Sequence, residues 1–138
     1  MRRRRPARLV LRLTGPMLAA GLGRVRQRIA TWAAAAGMGP DDVDDIVLAT
    51  HEALANVADH AYPDGGAEAW LEAGPAESDE LRVLVRDHGR WRPPPADPGP
   101  RGHGMVLIAG LAQRVTVQST DAGTTVAMYW RLPPAAVG

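Results

Sequence analysis

The chain contains no cysteine. That excludes disulfides, thiolate zinc sites, iron–sulfur clusters and cysteine nucleophiles, and it suits a reducing compartment. Lysine is missing too, because all 16 basic residues are arginine. A Walker-type phosphate loop and a Schiff base each need a lysine amine, so both chemistries are out. No apolar run approaches the ~20 residues of a membrane span. Leu9 to Gly23 is fairly apolar, but Arg12 and Pro16 interrupt it, so no export signal is expected. An excess of either charge is missing as well: 16 basic residues face 15 acidic ones, the net charge is +1, and no global field gathers nucleic acid. The run Arg2 to Arg5 is the exception, and it reads as a solvated tail. These absences predict a cytoplasmic protein with no membrane partner and no direct nucleic-acid partner.

What is present fits one domain. A chain of 138 residues buries enough surface for one core without staples. Residues 1–7 are expected to be a basic disordered tail, and residues 8–133 the folded domain. Residues 8–13 alternate as an opening strand, and Thr14-Gly15-Pro16 turns into a helix. Leu18, Leu22, Val25, Ile29, Trp32 and Ala36 recur at helical spacing up to the breakers Gly37 and Gly39-Pro40. Asp41 or Asp42 is expected to cap a second helix running to about Ala61, before the turn Pro63-Asp64-Gly65-Gly66. Strands are predicted over 68–73 and 81–86, joined by a polar loop at 74–79. Residues 88–104 are rich in proline and glycine and predict irregular structure. A helix over 105–112 follows, then strands over 114–120 and 124–132 around a turn at 121–123. The predicted fold class is α/β (α+β), a two-layer sandwich with a mixed sheet and helices on one face.

Four short segments carry chemistry. On the second helix, Val43, Ile46, Val47, Thr50, Leu54, Val57 and Ala61 form an apolar stripe. Glu52 and Asn56, four apart, stack on the side opposite it. A carboxamide oxygen suits a hard cation and a carboxylate can accept a proton, although solvated helix faces often show the same pair. Val85-Arg86-Asp87-His88-Gly89 ends a strand on a carboxylate beside a glycine that permits a sharp turn. Such a carboxylate can accept a hydrogen bond from an exocyclic amine; an ordinary Asp-x-Gly turn has the same sequence. Arg101-Gly102-His103-Gly104-Met105 opens a helix, where free N–H groups and the helix dipole favour an anion. Arg101 adds a guanidinium for phosphate, and a flexible loop is the plain alternative. Gly123-Thr124-Thr125 taken alone is a turn entering a strand.

Taken in order, the four segments resemble the boxes of the histidine-kinase-like (GHKL, or Bergerat) ATPases. Within these the chain is most similar to the anti-sigma-factor serine kinases. Glu52-Ala-Leu-Ala-Asn56-Val-Ala-Asp-His60-Ala-Tyr62 resembles their N-box, and Val85-Arg-Asp87-x-Gly89 the G1 box. Arg101-Gly-His-Gly-Met105 resembles the G2 box, and Gly123-Thr-Thr125 the closing Gly-Thr element. The resemblance spans nearly the whole chain and implies the Bergerat ATP-binding fold. It implies ATP and Mg²⁺ as cofactors, with Asn56 holding the metal between the phosphates and Glu52 as general base on the target hydroxyl. Asp87 would receive the adenine amine, with Thr125 nearby through water and Gly89 turning the chain beside it. Gly102, His103, Gly104 and Met105 would form the phosphate lid, with Arg101 on the nucleotide. His60 and Tyr62 receive no catalytic role.

The implied function is phosphorylation of serine or threonine on an anti-sigma-factor antagonist, with sigma-factor binding by partner switching. A homodimer is compatible with that reading. Two departures alter the pocket rim: Trp91 replaces the second glycine of the G1 box, and Arg-Pro-Pro-Pro follows it. The rival is a binding module that sequesters a sigma factor or another regulator without catalysis. A sensor-kinase fragment would need a dimerisation helix pair, for which the ATPase fold leaves no room.

Overall fold

Every second side chain of the strand Glu80–Asp87 points one way, and Leu81, Val83, Val85 and Asp87 are all buried. Its neighbour Gly123–Arg131 does the same with Thr124, Val126, Met128 and Trp130. That period of two is the mark of a sheet covered on one face. The computed structural model describes residues 6–14, 20–58, 68–77, 79–88 and 104–134. Its elements are β1 (Leu9–Thr14), α1 (Leu22–Ala35), α2 (Pro40–Asn56), β2 (Glu68–Ala76), β3 (Glu80–Asp87), α3 (Gly104–Leu111), β4 (Arg114–Thr120) and β5 (Gly123–Arg131). The strand order is β1-β2-β3-β5-β4.

The two-layer class holds, with a correction to the mixed sheet: every pairing is antiparallel. The reason is where the crossover lands. From β3 the chain passes through α3 to β4, one position beyond the adjacent slot, and the β4–β5 hairpin returns β5 into that slot. Among the described residues, no two parallel strands become neighbours. The predicted loop at 74–79 is also shorter than expected. β2 runs to Ala76, β3 starts at Glu80, and Asp79 adopts a positive φ of 61° in the tight turn. Aspartate tolerates that left-handed conformation better than most residues.

Helix α1 buries Val25, Ile29, Trp32 and Ala33, close to the predicted face. It ends at Gly37, whose φ of 95° is the usual left-handed stop. Helix α2 starts earlier than the expected aspartate cap. Gly39 is the N-cap, Pro40 occupies the first turn, and no side chain caps it. Proline's fixed φ nucleates the turn, while Asp41 and Asp42 stand in it, where the helix dipole favours negative charge.

Helix α2 packs against α1 on one flank, α3 on the other and β3 beneath. It therefore buries a wider arc than one stripe: Ala49, Ala53 and Asn56 go in with Ile46, Thr50 and Leu54. The small alanines let the three helices approach. Between the layers lie Ile29, Ile46, Leu54, Leu71, Leu81, Ile108, Met128 and Trp130, each at most 1% exposed. Burying each such side chain contributes about 1.5–3 kcal/mol. No helix among the described residues is long and apolar enough to cross a membrane.

Candidate nucleotide site

Cross-strand register sets one row of side chains at an end of the covered face. Leu13 stands opposite Ala69, Ala69 opposite Asp87, Asp87 opposite Thr124, and Thr124 opposite Ser119. Residues directly opposite share a face, so the carboxylate and the two hydroxyls lie side by side at the helical layer. Asp87 is 2% exposed and Thr124 1%. The Ser119 and Thr124 hydroxyls are 3.0 Å apart and hydrogen-bonded.

Three anchors bring the helix ends to that row. Trp32 Nε1 donates to the Ala7 carbonyl at 2.7 Å, which pins the end of α1 beside the start of β1. The start of α1 then lies toward the other end of β1, where Leu13 begins the row. Four residues connect α1 to α2, so the two helices run antiparallel. Arg26 Nη1 lies 3.2 Å from His51 Nδ1 across that pair. The last turn of α2, with Asn56, therefore returns to the Asp87 end. At the opposite end of the sheet, Trp130 Nε1 donates to the Leu111 carbonyl at 3.1 Å. Helix α3 spans about 12 Å and points its N-terminus, Gly104 and Met105, back toward the same row.

Asn56 is 7% exposed, and its carboxamide has no hydrogen-bond partner among the described residues. Among the described residues only Thr50 Oγ1 is both fully enclosed and unpaired, so the Asn56 amide stays open at the site end, where a ligand can complete it. Glu52, one turn earlier and half-buried, likewise has no partner among the described residues. Just beyond Asn56 the helix widens, since Val57 and Ala58 have i→i+5 geometry, a local distortion often found at functional sites.

Gly123 makes the close approach possible. Its φ is 140°, and a Cβ there would fall on the Asp87 carbonyl oxygen and 2.8 Å from His88 Cα. Only glycine lets β5 begin against the end of β3 and hold Thr124 beside Asp87.

The register separates two residues that the sequence left together. Thr125, expected near the adenine through water, stands opposite Arg86 and faces away from the helices. Thr124 takes the position beside Asp87 instead. Period-two counting back from Trp130, Met128 and Val126 would have selected it. Ser119 carried no motif and was missed; only cross-strand pairing reveals it. Of the other expected site residues, Met105 is half-buried against the core and Gly104 begins α3. Gly89, Arg101, Gly102 and His103 lie outside the described residues, as do Trp91, His60 and Tyr62.

No group of three or more His, Asp or Glu side chains able to hold a metal occurs among the described residues. A lone carboxamide oxygen does not cage a cation. It does suit Mg²⁺, which keeps several waters and takes most of its protein-bound ligation from phosphates.

The sequence profile of the histidine kinase-like ATPase domain matches residues 16–130. The chain belongs to this family. Family members similar to it include a serine-protein kinase RsbW of Halalkalibacterium halodurans, 29% identical over 133 residues, covering 86% of this chain and 80% of that protein. A serine-protein kinase RsbW of Bacillus velezensis is 33% identical over 123 residues, covering 78% and 76%. Among solved structures, the RsbU and RsbW domains of Rv1364c from Mycobacterium tuberculosis superpose with a TM-score of 0.69 at 22% identity. That match covers 91% of this chain and 32% of the other, and it shows the shared fold. A blue-light activated histidine kinase of Erythrobacter litoralis superposes at 0.58 with 26% identity, covering 83% and 42%.

Proposed function

We propose that the chain is an ATP-dependent protein serine/threonine kinase of the cytoplasm. In this reading its substrate is an anti-sigma-factor antagonist, and it binds a sigma factor by partner switching. The observation that carries the proposal is the convergence of buried Asp87, buried unpaired Asn56 and half-buried Glu52 at one end of the two layers. The kinship with proteins named serine-protein kinase RsbW supports it.

In this reading Asp87 accepts the adenine amine, with Thr124 supplying a hydroxyl beside it. Asn56 would hold Mg²⁺ through its amide oxygen, and the ion would supply positive charge beside the triphosphate. Gly89, Arg101, Gly102, His103, Gly104 and Met105 belong to the nucleotide's surroundings through their motifs. The Glu52 carboxylate takes the proton from the target hydroxyl as that oxygen bonds to the γ-phosphorus. The bond from the γ-phosphorus to the β-bridging oxygen breaks, and ADP leaves. Phosphoryl transfer asks for alignment and charge stabilisation more than covalent help.

The test is transfer of radiolabelled γ-phosphate to the antagonist by wild type and by Glu52→Gln. The amide is nearly isosteric, so ATP affinity should stay within a few-fold, while transfer slows by on the order of 10²–10⁴. Normal transfer by Glu52→Gln would place the base elsewhere. No transfer by wild type to any antagonist, with sigma-factor binding intact, would favour the non-catalytic binding module. Trp91 in the G1 box is the feature that points toward that second reading.

A further inference from the structure

The face of the sheet away from the helices carries two rows with the same composition. In one, Tyr129 stands between Arg82 and Arg114. In the other, Trp70 stands between Arg12 and Arg86. Each row borders a hollow. One, of about 480 Å³, is lined by Pro75, Glu80, Arg82, Arg114 and Tyr129 among others. The second, of about 170 Å³, is lined by Glu68, Trp70, Arg86 and His88. Leu84 and Ala127 lie paired in the strip between the rows and are themselves buried, whereas Trp70 is 38% exposed.

Charge on this face is unevenly paired. Glu72 holds Arg8, Glu68 holds Arg12 at 2.7 Å, and Glu80 holds Arg114 at 2.9 Å. Arg114 also lies 3.7 Å over the Tyr129 ring, so its orientation is fixed twice. The guanidiniums of Arg82, Arg86 and Arg131 have no partner among the described residues. Arg82 and Arg86 are four residues apart on β3, about 13 Å along the strand. One belongs to each hollow.

We propose that this face docks an acidic polypeptide segment, whose carboxylates pair with Arg82, Arg86 and Arg131 and whose apolar side chains cover Trp70 and Tyr129. Arginine is suited to discrete carboxylates, which it grips with two parallel hydrogen bonds. A nucleic acid fits less well, because Glu68, Glu72 and Glu80 interleave with the arginines and would meet a continuous phosphate backbone. A second copy also fits less well. Face-to-face apposition brings the three unpaired guanidiniums against the same basic surface, whose strand glutamates are already engaged. The docking is independent of the nucleotide site, since Arg86 and Asp87 point to opposite faces of the sheet.

The experiment is an ¹⁵N NMR titration of the full chain with a synthetic peptide that alternates glutamate pairs with leucine. A glutamine version of the peptide is the control. Amide shifts should concentrate on β3 and β5 and weaken with salt. Arg82→Glu with Arg86→Glu should lower affinity by about tenfold or more. Arg24→Glu with Arg28→Glu, an equal charge change on the exposed side of α1, should leave it nearly unchanged. Arg131→Glu alone should weaken binding to a lesser degree, which keeps a readout if the double variant folds poorly.

Several results would overturn the proposal: no peptide binding, shifts centred on the helices, or equal loss in both double variants. So would tighter binding of an oligothymidylate to the same residues. Self-association through this face, seen by sedimentation at the titration concentration, would assign it to a second copy instead.

Discussion

Replacing Gly123 with alanine should damage both stability and the nucleotide end, by an amount the geometry bounds. At φ 140° the new side chain sits where L residues are strained, at a cost of about 1–3 kcal/mol. Its Cβ also lands on backbone, the Asp87 carbonyl and His88 Cα, which cannot swing aside as a side chain end could. Forcing a methyl into packed space adds about 1–3 kcal/mol. The expected loss is therefore about 2–6 kcal/mol, or roughly 6–24 °C in Tm for a domain of this size.

The overlap is relieved only by parting β5 from the end of β3, so Asp87 and Thr124 should separate and ATP affinity should fall with stability. Chemical denaturation gives the first quantity and calorimetric titration the second. Gly110→Ala is the matched control. It lies within α3 with nothing within 4 Å of the added carbon, and should stabilise by about 0.5–1 kcal/mol through helix propensity. A Gly123→Ala protein with unchanged Tm and unchanged ATP affinity would refute the reasoning.

Two other substitutions test separate parts of the account. The Thr50 hydroxyl is buried without a hydrogen-bond partner, so Thr50→Val, which keeps the shape, should raise stability by about 1 kcal/mol in urea unfolding; a loss would mean that the hydroxyl is satisfied in solution. Asp87→Asn removes a charged acceptor from the proposed adenine site and should weaken ATP binding by about 10–100-fold, while narrowing any preference for ATP over GTP; equal affinity of wild type for the two nucleotides would remove Asp87 from that role.

Much of the fold was legible because its periods are clean. Val126, Met128 and Trp130 alternate, and Val25, Ile29 and Trp32 recur at helical spacing, so strand and helix assignments followed from burial on one side. The breadth of burial on α2 was hidden. Ala49 and Ala53 are weakly apolar, and only the flanking helices, distant in sequence, make them core. Pairing was hidden for the same reason. Nothing local says that β5 inserts between β3 and β4, and that insertion decides that the sheet is antiparallel and that Thr124 meets Asp87. Glu52, Asn56 and Asp87 were legible as types and spacings. The burial of Asn56, which makes its amide a candidate ligand, needed the third dimension.

The central claim is that Asn56 and Asp87 share one Mg-ATP site, and calorimetric titration of Mg-ATP into wild type and Asn56→Ala tests it most directly. Wild type should bind one equivalent. The variant should bind at least about tenfold more weakly, because losing the amide oxygen removes a metal ligand and leaves triphosphate charge unscreened. Its unfolding midpoint should not fall in step, since the amide has no partner in the described structure to lose. Wild-type affinity in Asn56→Ala, or no heat of Mg-ATP binding in the unmutated chain, would contradict the account.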